Sequence, residues 1–355
     1  MRICVCTVVH HPEDTRILHR QIRALLDAGH EVTYIAPFRA WNVTPWRQVS
    51  PVDVPRARGR GLAHALRAAR RALADHAPYS DVVLLHDPEL LLALPRSARR
   101  RTVVWDVHEG PAASLLPAPL LRHAEARGRR HRLLLAGEGY RDRFGPSHPV
   151  VPDLPYVSAE PPAEPDGRRA VYVGRLSVDR GALEMIELAA RLAEKGVAVE
   201  LIGAADPEVR PALRDAQRAG ALRWYGFVPN DRAMRIAEGA MAGLALMHDD
   251  EEHRDTVPAK VMEYMARGIP VVTTPRPAVT ELVGQERSGL VVPFGDVDAA
   301  LTAVLRLRDE RGLRARLGRE GYELARARFD WPTHAERFVT LLEGWAGRSR
   351  EPATA

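Results

Sequence analysis

Apolar residues recur along this chain in two rhythms, short continuous runs and stripes at helical spacing, and their alternation predicts strands alternating with helices. Residues 2–9 read as an apolar strand. Residues 15–28 place Ile17, Leu18, Ile22, Leu25 and Leu26 on one side of a helix that Gly29 stops, and residues 31–36 form the next strand. This is a βαβ unit at the N-terminus. Residues 37–60 are rich in Pro and Arg and read as a loop around a weak strand at 48–54, while residues 62–75 form an amphipathic helix with arginines on its outer face. Strands follow at 82–85 and 103–107. Residues 120–157 read as a helix, a strand at 133–136, a short helix from Tyr140 and a Pro-rich exit.

The stretch SAEPPAEPDG, residues 158–167, has no apolar pattern and reads as a linker. A second series then begins, with strands at 170–174, 197–202, 222–225, 244–247, 269–273 and 289–292 and helices at 181–195, 207–219, 231–238 and 258–268. The expected fold class is α/β: two Rossmann-like, doubly wound parallel-sheet domains, 1–157 and 168–330, facing a central cleft.

The chain is best organised around residues 258–273, PAKVMEYMARGIPVVT. Pro258 suits the first turn of a helix, Gly268 ends it, and a β-branched run follows as a buried strand. Lys260 and Glu263, three apart, share one helix face near the end where free amides and the dipole favour an anion. That pairing suits a nucleotide sugar diphosphate; the plainer alternative is a Lys260–Glu263 pair on a solvated face.

Composition sharpens this. Of 51 basic residues only Lys195 and Lys260 are lysines, so a retained lysine reads as a required point charge. Residues 1–157 carry 23 arginines against 15 acids, whereas residues 158–355 carry 28 basic residues against 31 acids. An electropositive first half fits an anionic acceptor or an anionic membrane surface. Nucleic acid is not expected, because the basic clusters lack interleaved aromatics. No apolar run reaches the roughly 18 residues of a membrane span, and the start MRICVCTVV lacks signal-peptide features, so a cytoplasmic location with peripheral membrane contact is expected. Cys4 and Cys6 match neither a redox pair nor a zinc half-site. Gly59-Arg60-Gly61 lacks the third glycine of a dinucleotide fingerprint, and neither lysine sits in a phosphate-loop motif. The run from His248 to His253 matches no metal-ligand spacing, so no metal is expected.

Polar groups gather just past three strands of the first half, where an open parallel sheet lines its crevice. They are His10-His11-Pro12-Glu13-Asp14-Thr15-Arg16, His86-Asp87-Pro88-Glu89 and His108-Glu109. Asp14 reads as a helix N-cap that leaves Arg16 aimed over the sheet, and His11, His86 and His108 at equivalent places indicate a polar cleft.

With these motifs assembled, the chain resembles glycosyltransferase family 4, the GT-B family of retaining, nucleotide-sugar-dependent transferases. The likeness lies in HHPEDTR, LLHDPEL, WDVHE, VGRLSVDRG, PAKVMEYMARGIPVV and FDWPTHAERFVTLLEGW. It implies a hexosyltransferase acting in carbohydrate or natural-product biosynthesis, without metal or cofactor, on a UDP- or GDP-sugar and a small-molecule, glycan or lipid-linked acceptor. It further implies that residues 331–346 form a terminal helix returning to the N-domain. Carried over, the catalytic group would be His108, Arg175, Arg180, Lys260 and Asp255. The donor would meet Gly174, Arg175, Arg180, Gly203, Phe227, Val228, Lys260 and Glu263, with Glu263 taking the ribose hydroxyls. The acceptor side would be His11, Asp14, Arg16, His86, Asp87 and Glu109. The chain departs from the family pattern in Arg180 where lysine is common, in Asp255 for the first of a pair of glutamates, with Glu251 and Glu252 as alternatives for the sugar contact, and in lacking a glycine pair after the first strand. A GT-B epimerase or hydrolase is the nearest alternative; a basic protein binding nucleic acid or membrane is the alternative from another class.

Overall fold

The computed structural model describes residues 1–58, 61–111, 114–249, 257–284 and 287–348. Asp255, Glu251 and Glu252 lie outside the described residues. The chain divides into two compact units, Met1–Asp153 with the described residues from Pro332 onward, and Leu154–Trp331.

Unit 1 holds strands β1 (Arg2–Cys6), β2 (Glu31–Ala36), β3 (Ser50–Asp53), β4 (Val82–Leu85), β5 (Thr102–Val107) and β6 (Arg132–Leu135). Its helices are α1 (Arg23–Asp27), α2 (Phe38–Trp41), α3 (Leu62–His76), α4 (Leu90–Ala93), α5 (Ala118–Gly128) and α6 (Arg141–Phe144). The strands pair in parallel in the order β3-β2-β1-β4-β5-β6. Helices cover both faces of such a sheet, which is why β4 and β5 are buried at every residue. Order reverses between β1 and β4, so the loops after these two strands open on the crevice that parallel sheets use for ligands.

The helix expected over 15–28 opens differently. Thr15–Ile22 winds as a π-helix before α1, and Asp14 caps it by accepting the Ile17 N–H at 3.0 Å. The buried residues of this wide turn include Arg16, Arg20 and Gln21, so polar side chains enter the sheet's end where a regular apolar stripe was expected.

Unit 2 holds β7 (Arg169–Val173), β8 (Ala198–Ile202), β9 (Arg223–Trp224), β10 (Ala242–Ala245), β11 (Val271–Thr273) and β12 (Gly289–Val291). Its helices are α7 (Ala182–Ala193), α8 (Arg210–Arg218), α9 (Asn230–Ala237), α10 (Ala259–Met265), α11 (Pro277–Val283), α12 (Val297–Asp309) and α13 (Arg311–Arg328). Its order, β12-β11-β10-β7-β8-β9, repeats the doubly wound pattern, with the reversal between β7 and β10.

Residues 158–167 are a strap on unit 2, which corrects the reading of a linker. Tyr322 donates to the carbonyls of Ser158 and Ala159 at 2.8 and 3.2 Å, Arg314 donates to Pro165 at 3.1 Å, and the Asp166 N–H reaches Gly239 at 2.9 Å. The division between units falls at Asp153 and Leu154, ahead of the expected 157. Finally α14 (Trp331–Arg348) packs within unit 1, where Thr102 donates to the Trp345 carbonyl and His30 meets Glu343.

Candidate functional site

In unit 1 the chemistry gathers around Asp106, fully buried near the end of β5. Arg16 lays its fork on it, with Nε to Oδ2 at 2.7 Å and Nη2 to Oδ1 at 2.6 Å, and Gln21 adds a third donor at 3.0 Å. His86 Nδ1 and His108 Nδ1 each stand 3.3 Å from Oδ2. Burial opposes charge on Asp106, but Arg16 and these donors hold its carboxyl well below the ordinary range. Burial also opposes charge on His108, yet Asp106 prevails and lifts it to about 9, whereas His86, deeper, is lowered by burial.

Several assignments change here. His10, and not His11, joins the cluster: its Nε2 is 3.2 Å from Asp87 Oδ1, its Nδ1 is 3.7 Å from Glu109 Oε1, and its ring stacks on His108 with centroids 4.8 Å apart. His11 instead packs edge-on against Trp41 while its Nδ1 accepts the Glu13 N–H, and burial drops its pKa to about 4. Arg16 is not aimed into a crevice but is consumed by Asp106 and by the Val151 carbonyl at 2.9 Å. Asp14 is the N-cap. His86 and Asp87 are buried supports; Asp87 accepts the Thr7 hydroxyl at 2.9 Å and anchors the amides of Val8 and Val9, fixing the loop after β1. Glu89 likewise holds the later loop through Ser114 and the Leu115 N–H, both at 2.7 Å. What this cluster exposes is Glu109, with the His108 side chain 8% exposed beneath it.

His86, Asp106 and His108 bring ligand atoms within 4.8 Å of one another. A metal needs a free carboxylate and deprotonated imidazoles. Here both Asp106 oxygens already serve Arg16 and His108 is biased toward its cation, so the donor set suits an ion-pair network better than a metal.

The raised His108 pKa fixes a pH dependence. Its contribution to stability is complete below its ordinary value of 6.5 and is lost as pH rises through about 9. Urea unfolding followed from pH 6 to 10, in roughly unit steps, should show unit 1 weakening with alkali. The buried thiols push the same way, Cys4 being raised to about 12, so the His108 share is the difference between wild type and His108→Gln. Identical pH slopes for the two proteins would refute it.

In unit 2 the loops after the strands close on one another. The Gly174 N–H donates to Ile202 and the Gly203 N–H to Gly226, at 2.9 and 2.8 Å. Gly203 has φ of 153°, and a Cβ there would lie 1.8 Å from the Gly174 carbonyl oxygen, so only glycine permits this approach. Above this floor, Lys260 Nζ donates to the Tyr172 hydroxyl at 2.9 Å and stands 4.2 Å over its ring, while the hydroxyl donates to the Arg175 carbonyl at 2.6 Å. Arg180 lies close enough for its charge to act on both Tyr172 and Lys260. Burial first, then the nearby charges of Arg180 and Arg276, hold Lys260 well below the ordinary lysine value. Among the described residues no carboxylate lies within ion-pair distance of Lys260 or Arg180.

Two donor assignments look different in three dimensions. Arg175 forms a bidentate pair with Asp206 at 2.7 and 2.8 Å. Glu263 is buried and Arg267 Nη1 reaches its Oε2 at 2.6 Å, so at least one oxygen expected to serve ribose hydroxyls is engaged within the helix turn. Lys260 and Glu263 thus have separate partners, although they share a helix. Phe227 is half-exposed and Val228 follows it in the loop after β9. Arg276, buried beside Met247 at the start of α11, was not singled out in the sequence; a basic residue just past an apolar strand was its only signal.

Known proteins bear on this arrangement. Residues 167–310 match the family model described as Glycosyl transferases group 1. The amylovoran biosynthesis glycosyltransferase AmsK of Erwinia amylovora is 30% identical over 147 residues, 39% of this chain and 35% of that protein. The chain therefore spans about a third of the length of the first curated relatives it matches. The phosphatidyl-myo-inositol mannosyltransferase of Mycolicibacterium smegmatis is 26% identical over 91% of this chain and 88% of its own. Among solved structures, Anabaena HepE in complex with UDP and glucose superposes with a TM-score of 0.74 at 16% identity, covering 97% of this chain and 100% of the other. The fold is that of GT-B glycosyltransferases, two Rossmann-like domains. Residues 167–310 are thus similar to a glycosyltransferase family, and the curated relatives are glycosyltransferases.

Proposed function

We propose that this protein moves a hexose-type sugar from a nucleoside diphosphate, UDP or GDP, to an acceptor hydroxyl, with retention and without a metal. The observation that carries the reading is Lys260 on the Tyr172 hydroxyl beside the charges of Arg180 and Arg276, with no carboxylate among the described residues in ion-pair contact with Lys260. Lys260 among these cations is held against its charge until an anion arrives, and a diphosphate leaving group supplies it. In the reaction they neutralise charge developing on that group as the anomeric carbon gains oxocarbenium character, and the acceptor hydroxyl attacks from the leaving-group face. Arg175 and Glu263 remain donor ligands in this reading if Asp206 and Arg267 release them when the nucleotide binds, and Asp255 remains the proposed sugar contact. His108 and Glu109 would meet the acceptor. The relatives' names, which include amylovoran, lipopolysaccharide core and phosphatidyl-myo-inositol, favour a glycan or lipid-linked acceptor.

A thermal-shift screen of UDP, GDP, ADP and TDP tests the donor class: one should raise the melting temperature of unit 2. No shift with any of them removes the reading. Product analysis with and without added acceptor then separates transfer from epimerisation or hydrolysis.

A further inference from the structure

A second group of polar side chains in unit 1 stands outside the Asp106 network. It is assembled by the loops that follow three neighbouring strands: His11 after β1, Trp41 at the end of α2 after β2, and Arg56 after β3. In a parallel sheet such loops share the carboxyl edge, where ligands bind. Backbone bonds tie them together, the Ala57 N–H donating to Val8 at 2.8 Å and the Val54 N–H to Ala36 at 3.2 Å. The turn that ends α2 is held as firmly. Asn42, with φ of 54°, is the only non-glycine residue of positive φ among the described residues, and its N–H returns to Arg39. Trp41 is thereby presented to Arg56, whose guanidinium carbon stands 3.7 Å from the indole centroid, while the His11 ring packs edge-on with centroids 4.6 Å apart.

Stacking explains how Arg56 is seated but not what it bonds. Its guanidinium has no carboxylate or hydrogen-bond partner among the described residues, and its Nε is shielded from solvent. The indole Nε1 of Trp41 is equally shielded and equally without an acceptor. Donors left so are costly, and holding two of them side by side fits an acceptor atom that a ligand brings. The acids of the same loops do not fill this role. Asp14 caps its helix, and Asp53 takes the Arg39 N–H at 2.8 Å. Burial, and then the charge of Arg58, hold Arg56 below the ordinary arginine value, so an anion would relieve both cations where a neutral hydroxyl would relieve neither. A planar fork laid on an aromatic ring is suited to two oxygens of one anionic group.

We infer that Trp41 and Arg56 form an acceptor subsite that recognises an anionic oxygen group, a carboxylate or a phosphate, carried by the sugar acceptor. The inference rests on the transferase reading only in calling the ligand an acceptor. Arg56 touches no reacting atom in this arrangement; it sets which acceptors are held.

The test uses the full chain labelled with 5-fluorotryptophan, in which the Trp41 signal is the one of six that Trp41→Phe removes. Titration with glucuronate or with glucose 6-phosphate should shift that signal saturably, and titration with glucose should not; the anion that binds more tightly names the group. Arg56→Gln should weaken the binding about tenfold or more, the scale of losing one charged hydrogen-bonded partner. Arg56→Lys keeps the charge without the fork and should weaken it less. Arg223→Gln removes an arginine stacked 4.4 Å over Tyr225 in unit 2 and should bind like wild type, with thermal melts confirming that the variants fold. No shift with either anion, an equal shift with glucose, or wild-type binding by Arg56→Gln would overturn the proposal. The readout needs neither nucleotide nor turnover, so a saturable Trp41 shift beside a silent nucleotide screen, or the reverse, tells which of the two readings has failed.

Discussion

Replacing Asp106 with alanine will unfold unit 1 far more readily while leaving unit 2 intact. The change removes the carboxylate under the Arg16 fork and leaves that buried guanidinium without its bidentate partner, a loss of about 3–5 kcal/mol. For a unit of this size the loss corresponds to a fall of about 10 °C in its melting temperature. Differential scanning calorimetry should therefore separate a lowered transition from an unshifted one. Arg16→Met should be similarly costly alone, and the double variant Arg16→Met/Asp106→Ala should cost clearly less than the two singles together, since the pair act as one group. Additive losses would show that the fork and the carboxylate are not coupled.

The other large effect belongs to Lys260. Lys260→Met should abolish the nucleotide-induced thermal shift and lower kcat/KM by about a hundredfold or more, the scale of losing one charged stabiliser of a leaving group. Removing a half-buried cation that has no carboxylate partner among the described residues should not destabilise the fold, so loss of binding is readable. The depressed pKa adds a signature. A bound diphosphate offsets the repulsion from Arg180 and Arg276 and raises the pKa of Lys260, so nucleotide binding should take up protons, increasingly as pH is raised. Calorimetry in two buffers of different ionisation enthalpy measures that uptake. Wild type and Lys260→Met giving the same proton count would exclude Lys260 from the anion site.

How far the sequence carries can be read from particular segments. The apolar run at Val82–Leu85 matches its strand residue for residue, because a strand covered on both faces needs a continuous apolar stretch. The helix near residue 259 and the strand after Gly268 are equally plain, as proline, glycine and β-branched residues act locally. The strap at 158–167 is not legible, since what fixes it is Arg314 and Tyr322, more than a hundred residues away. Nor is the choice between His10 and His11, because side-chain alternation lapses once a strand ends and only Asp87, from another loop, decides which ring turns inward. The same holds for Arg16: nothing near it in the chain announces Asp106. In the candidate site, residue types and strand ends were legible, and the pairing of charges across loops was not.

Unit 1 is discontinuous, and this has a bearing on the order of synthesis. The ribosome delivers β1 through β6, then all of unit 2, and only afterwards α14, whose Trp345 carbonyl receives Thr102 and whose Glu343 meets His30. Unit 2 is a continuous stretch that can close on itself as it emerges. The earlier-made sheet must wait with one flank uncovered until the last helix arrives, so nascent chains stalled just before residue 331 should be the form that chaperones hold longest.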